Sequence, residues 1–161
     1  MPRVLKGDIF AAARANNSEL AVVFGSIEFN QMNMYWCQFA RTITSLSHIR
    51  NPFSDLPQQP CEYAIGRWLW FIGAHHDDGL SDSDIVKALE AAFSWAHQMG
   101  LKAIITNGIA DTGDVCDVTV KQKNNDHRAQ LLIGLTTDFE RRFSLDITLV
   151  SLNNVFTRNV P

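Results

Sequence analysis

The sequence is poor in cysteine. Cys37, Cys61 and Cys116 are odd in number and far apart across 161 residues. That argues against a disulfide framework and against Cys/His zinc spacing, and it predicts reduced thiols in a reducing compartment. Long apolar runs are also missing. No stretch is long enough to span a bilayer and no N-terminal run has the outline of a signal peptide, so the expectation is a cytoplasmic protein without a membrane partner. In that setting the Asn16-Asn17-Ser18 sequon carries no meaning. Basic excess is absent too. Lys and Arg total 14 against 17 Asp and Glu, a net charge of −3, which argues against a direct grip on nucleic acid. A nucleotide held by backbone N–H groups needs no basic surface and stays open. There is no GxGxxG fingerprint, no P-loop and no GxSxG elbow. No cofactor is expected.

Apolar residues make up 46% of the chain and charged residues 19%, an ordinary globular balance. The length suits one domain, 1–161, with a core that needs no staples. Residues 3–6 read as a short edge strand. The run 20–24 (LAVVF) ends at Gly25 and reads as a buried strand. Met32, Trp36, Phe39, Ile43 and Leu46 recur at helical spacing behind Asn30 as a cap. Prolines at 52, 57 and 60 make 49–61 a loop. The apolar stretch 63–72 predicts one central strand. Over 82–99, Ser81 with Asp84 resembles a capping box, Ile85, Leu89, Ala92, Phe93 and Ala96 line one face, and Gly100 stops the helix. Residues 102–106 give another buried strand. A last helix is expected from near Asp126, weakened by Gly134 at mid-helix, before a strand over 146–152. Strands alternating with helices predict an α/β fold with a largely parallel sheet.

Several segments together resemble a macro domain: the opening Lys6-Gly7-Asp8-Ile9, an amphipathic helix ending AHQMG, then LKAIITNGIADTG and a closing DITLVSL. The resemblance runs through nearly the whole chain in order and spacing. It implies a three-layer α/β/α fold with a mixed, largely parallel sheet. It also implies binding of ADP-ribose or a related adenine nucleotide, free or on an ADP-ribosylated target, with possible hydrolysis of an ADP-ribosyl bond. The chain departs from the family after the second strand. Residues 25–33 (GSIEFNQMN) hold one glycine where the family is glycine-rich, which hinders close approach to a diphosphate.

By that resemblance, Asp8 accepts a hydrogen bond from the adenine amino group, beside Ile9. The alternative is a turn or helix-capping Asp. The segment Asn107, Gly108, Ile109, Ala110, Asp111, Thr112, Gly113 and Asp114 follows a buried strand, where ligands sit in α/β sheets. Its glycines let amide groups turn to an anion, Thr112 adds a hydroxyl, and Asp111 or Asp114 could polarise a water. Gly25 and Ser26 end the other buried strand and face the same crevice if the two strands are neighbours. Phe156 is the aromatic that could stack on adenine, with packing against a helix as its other use. His75, His76, Asp77 and Asp78 lack a metal-ligand pattern and read as a solvated loop, so no metal is expected. Two further readings compete: a macro-like interaction module that has lost the ligand, its crevice plugged by bulky side chains such as Phe29 and Met32, and an unrelated α/β hydrolase or transferase. Oligomeric state is not legible.

Overall fold

The computed structural model describes residues 1–26, 60–64, 67–74, 81–108 and 118–161. The expected helix over 32–46, most of the proline loop, His75 to Asp78 and residues 109–117 lie outside the described residues.

Six strands form one sheet: β1 (Arg3–Lys6), β2 (Leu20–Ser26), β3 (Cys61–Ala64), β4 (Arg67–Ala74), β5 (Ala103–Thr106) and β6 (Asp146–Ser151). Their order is β1-β6-β5-β2-β4-β3. Every neighbouring pair is parallel except β3 with β4. The fold is therefore α/β with a mixed, largely parallel sheet, as the alternation of elements implies. The stretch 63–72 corrects one expectation. It is not a single central strand: the chain reverses after Ala64, and β3 and β4 form the antiparallel margin. The central strands are β5 and β2, and β2 is buried throughout 20–24, as a strand covered on both faces must be.

Four described helices cover the sheet: α1 (Ile9–Ala15), α2 (Asp82–Gln98), α3 (Val118–Phe143) and α4 (Val155–Asn159). Connections between parallel strands are right-handed, so the direction of travel fixes the face. The chain moves one way through α1 to β2 and the other way through α2 and α3, which puts these helices on opposite sides. The burial pattern agrees. Leu20, Val22 and Phe24 join Ile85, Leu89, Phe93, Leu132, Phe139 and Phe156 in one core cluster. Ala21 and Val23, the alternate residues of β2, are equally buried and face the α1 side with Ile9, Phe10 and Ala13.

The termini of α2 follow the sequence signals. Ser81 Oγ accepts from the Asp84 N–H at 3.1 Å. Gly100, at φ +76, ends the helix with a Schellman pair, Leu101 N to Ala96 O at 2.9 Å and Gly100 N to His97 O at 3.1 Å. Helix α3 begins at least eight residues before the expected Asp126. Its Gly134 is exposed, with open space where a Cβ would stand.

Candidate functional site

Because β1, β6, β5, β2 and β4 run parallel, their carboxyl ends share one rim. Asp8 follows β1 there, Gly25 and Ser26 end β2, and Asn107 and Gly108 follow β5. From β2 the chain departs towards β4 and β3; from β5 it departs towards β6. Strands β2 and β5 are neighbours, with Val22 opposite Thr106. The strand order thus reverses between them, the arrangement outside whose carboxyl ends open α/β sheets hold ligands. The two turns singled out in the sequence leave from adjacent strand tips.

Side-chain bonds lock those tips. The Asn107 carboxamide accepts from Phe24 N–H at 2.8 Å and donates to Phe24 C=O at 3.0 Å. It copies a peptide unit and adds one rung to the β2–β5 ladder after the β5 backbone has ended. Thr106 Oγ1 donates to Val22 C=O at 2.8 Å and accepts from Gly108 N–H at 3.2 Å. Gly108 has φ +54, and a Cβ built on it would lie 2.5 Å from Leu132 Cδ1 of α3. Glycine is needed there twice over, for the left-handed backbone and for the close approach. The Asn107 carboxamide and the Gly108 amide, expected to meet a ligand, are instead bonded within the protein. They shape the tip from which residues 109–114 continue.

Asp8 realises its capping alternative. Oδ2 accepts from Ala11 N–H at 2.9 Å as the N-cap of α1, and Gly7 N–H donates to Ser151 C=O at 2.8 Å, tying the turn to β6. Oδ1 has no protein donor among the described residues. Ile9 is buried, and as the first helical residue its N–H has no carbonyl a turn earlier to bond. Phe156 belongs to the core. It is 0% exposed on α4, a helix the sequence analysis did not anticipate, and its ring has no face left for a nucleobase. Ile109, Ala110, Asp111, Thr112, Gly113 and Asp114 lie outside the described residues.

Charged residues that sequence reasoning missed pair the start of α2 with the first half of α3. His127 Nε2 donates to Asp82 Oδ2 at 3.0 Å, and Arg128 Nε and Nη2 reach Asp82 Oδ1 at 3.2 and 3.1 Å. The bond from His127, with Arg128 behind it, holds the Asp82 carboxyl below its usual range against a desolvation penalty. Asn159 and then Arg158 do the same for Asp126, linking α4 to α3. The partners are more than thirty positions apart in each case, so no local pattern marks them. Among the described residues, no group of three His, Cys, Asp or Glu is arranged to hold a metal, and no helix is long and apolar enough to cross a membrane.

No family model matches the sequence, and no curated protein matches it. Solved structures do. A tomato leucine aminopeptidase mutant, K354E, is similar over 99% of this chain at a TM-score of 0.56 and 10% identity. The match takes in 35% of the aminopeptidase, so this chain spans about a third of that protein's length. The macrodomain of Thermus aquaticus DarG is similar over 94% of this chain and 98% of its own, at a TM-score of 0.53 and 9% identity. At such identities the likeness concerns the fold, and the fold is macrodomain-like.

Proposed function

We propose that the protein binds ADP-ribose or a related adenine nucleotide, free or attached to a target, in the crevice between the β2 and β5 tips. The observation that carries this reading is the reversal of strand order at those two strands, in a chain of macrodomain-like fold. Asp8 Oδ1 accepts the adenine amino group while Oδ2 keeps its cap, and the Ile9 N–H donates to a ring nitrogen. Gly25, Ser26 and the segment Ile109 to Gly113 supply amide and hydroxyl donors to the diphosphate, with Asn107 and Gly108 holding the tip in shape. If the bound ADP-ribosyl bond is also hydrolysed, Asp111 or Asp114 polarises the attacking water.

Calorimetry with ADP-ribose tests the reading. The useful variant is Asp8→Ser, because serine still caps α1 but offers the adenine no carboxylate. Loss of that charged hydrogen bond weakens binding by about 1–3 kcal/mol. Unchanged affinity in the variant removes Asp8 from the site.

A second reading, a macro-like interaction module without nucleotide binding, is favoured by one feature: the Asn107 carboxamide and the Gly108 amide are already satisfied internally. Folded wild-type protein that gives no heat with millimolar ADP-ribose favours that reading over the first.

A further inference from the structure

Asn107 and Gly108 form the one Asn-Gly pair in the chain. Such a pair has a chemistry of its own. The backbone nitrogen of the glycine attacks the carboxamide carbon of the asparagine, and the missing Cβ leaves the approach open. A five-membered succinimide forms, and the proton lost by the nitrogen departs with the ammonia. Water then reopens the ring. Cleavage of the new Cγ–N bond gives aspartate, and cleavage of the original peptide bond gives isoaspartate. One water is taken up, one ammonia is released, and nothing is oxidised or reduced.

The fold keeps both reacting groups occupied. The Asn107 carboxamide is held at its two edges by the β2 backbone, accepting from Phe24 N–H at 2.8 Å and donating to Phe24 C=O at 3.0 Å. It cannot turn its face onto the Gly108 nitrogen without releasing both bonds. Gly108 is buried, and its N–H donates to Thr106 Oγ1 at 3.2 Å, an oxygen itself tied to Val22 C=O. A base must remove that proton before the nitrogen becomes a nucleophile. With Thr106 0% exposed, the proton points into the protein and away from solvent.

We infer that Asn107 is a deamidation site that the closed β2–β5 tip keeps unreactive and that reacts when the tip opens. The change is irreversible, and it undoes the tip that prevented it. An ionised aspartate only accepts hydrogen bonds, so it has nothing to donate to the Phe24 carbonyl. Isoaspartate adds a methylene to the main chain just before Gly108. That shifts the glycine from a place where Leu132 Cδ1 leaves no room even for a Cβ. A chain that has reacted closes the tip less well and opens again more readily.

The experiment incubates the full chain in mildly alkaline buffer, once folded and once unfolded in guanidinium chloride, and follows aspartate and isoaspartate at position 107 by peptide mapping. Unfolded chains should accumulate both products. Folded chains should do so about a hundredfold more slowly, the combined weight of the three hydrogen bonds that must break. Equal rates in the two states overturn the inference, as does an unfolded chain that stays unmodified at 107. Thr106→Val takes away the acceptor of the Gly108 N–H. It should raise the folded rate about tenfold and leave the unfolded rate unchanged. A folded rate that does not rise in this variant overturns the inference, and Thr106→Ala replaces the valine variant if that fails to fold. Modified wild-type chains, separated by their extra negative charge and returned to native buffer, should melt earlier than unmodified ones or fail to refold. Melting identical to that of unmodified protein overturns the inference.

Discussion

Gly108→Ala isolates the geometry on which the crevice depends. Two costs combine. The backbone at φ +54 is left-handed, which costs an L-residue about 1–2 kcal/mol. The added methyl arrives 2.5 Å from Leu132 Cδ1, far inside contact distance. Leu132 is the flexible partner by chemistry, but it is 0% exposed in the main core cluster, so it can yield only by disturbing its neighbours. Overpacking of that kind costs about 1–3 kcal/mol. The expected loss is therefore about 2–5 kcal/mol. Urea unfolding followed by tryptophan fluorescence measures it, since Trp68, Trp70 and Trp95 form an edge-to-face cluster whose emission reports the fold. The clash share is separable with Leu132→Ala in a double-mutant cycle: once the leucine is shortened, Gly108→Ala should cost about 1–3 kcal/mol less. A Gly108→Ala protein within about 0.5 kcal/mol of wild type, or no coupling to Leu132, would refute the packed tip.

Gly134→Ala should stabilise the protein by about 1 kcal/mol, because this exposed mid-helix position has open space for a Cβ; a lower urea midpoint in the variant contradicts that. Asp82 makes stability depend on acid. Its folded pKa lies below the unfolded value near 4, so its contribution is present above about pH 4 and is lost as pH falls through the folded value. The melting gap between wild type and Asp82→Asn should accordingly close on acidification from pH 6 to about pH 3, and a gap constant over that range would show that the His127 and Arg128 bonds do not hold the carboxylate.

The elements legible in the sequence are those whose signals are local. Helix α2 carries its cap at Ser81, an apolar stripe from Ile85 to Ala96 and its stop at Gly100 within twenty residues. Strand β2 is a short apolar run closed by Gly25 and Ser26. The misses have physical causes. Helix α1 is mostly alanine, with little apolar periodicity, and its one local signal was the Asp8 cap three residues before Ala11. The split of 63–72 into β3 and β4 falls inside one apolar run, where hydrophobicity marks no boundary. Helix α3 starts on Val118-Thr119-Val120, residues that slightly disfavour helix, so the local sequence gives no signal for that start. At the rim, adjacency of the β2 and β5 turns follows from strand order, which a single sequence does not encode locally. The bonds of Asn107 to Phe24 join residues 83 apart, and those of His127 and Arg128 to Asp82 join residues 45 and 46 apart. Position after a strand, with the family resemblance, suggested ligand contacts for Asn107 and Phe156; burial and pairing give both a structural use.

Backbone amide shifts on titration with ADP-ribose test the central claim most directly. The account predicts movement of the Ile9, Gly25 and Ser26 amides at the carboxyl rim, while Glu19 and Lys102, joined by a hydrogen bond at the opposite rim, stay fixed. Shifts centred on Glu19 and Lys102, or none anywhere in folded protein at millimolar ligand, would contradict it.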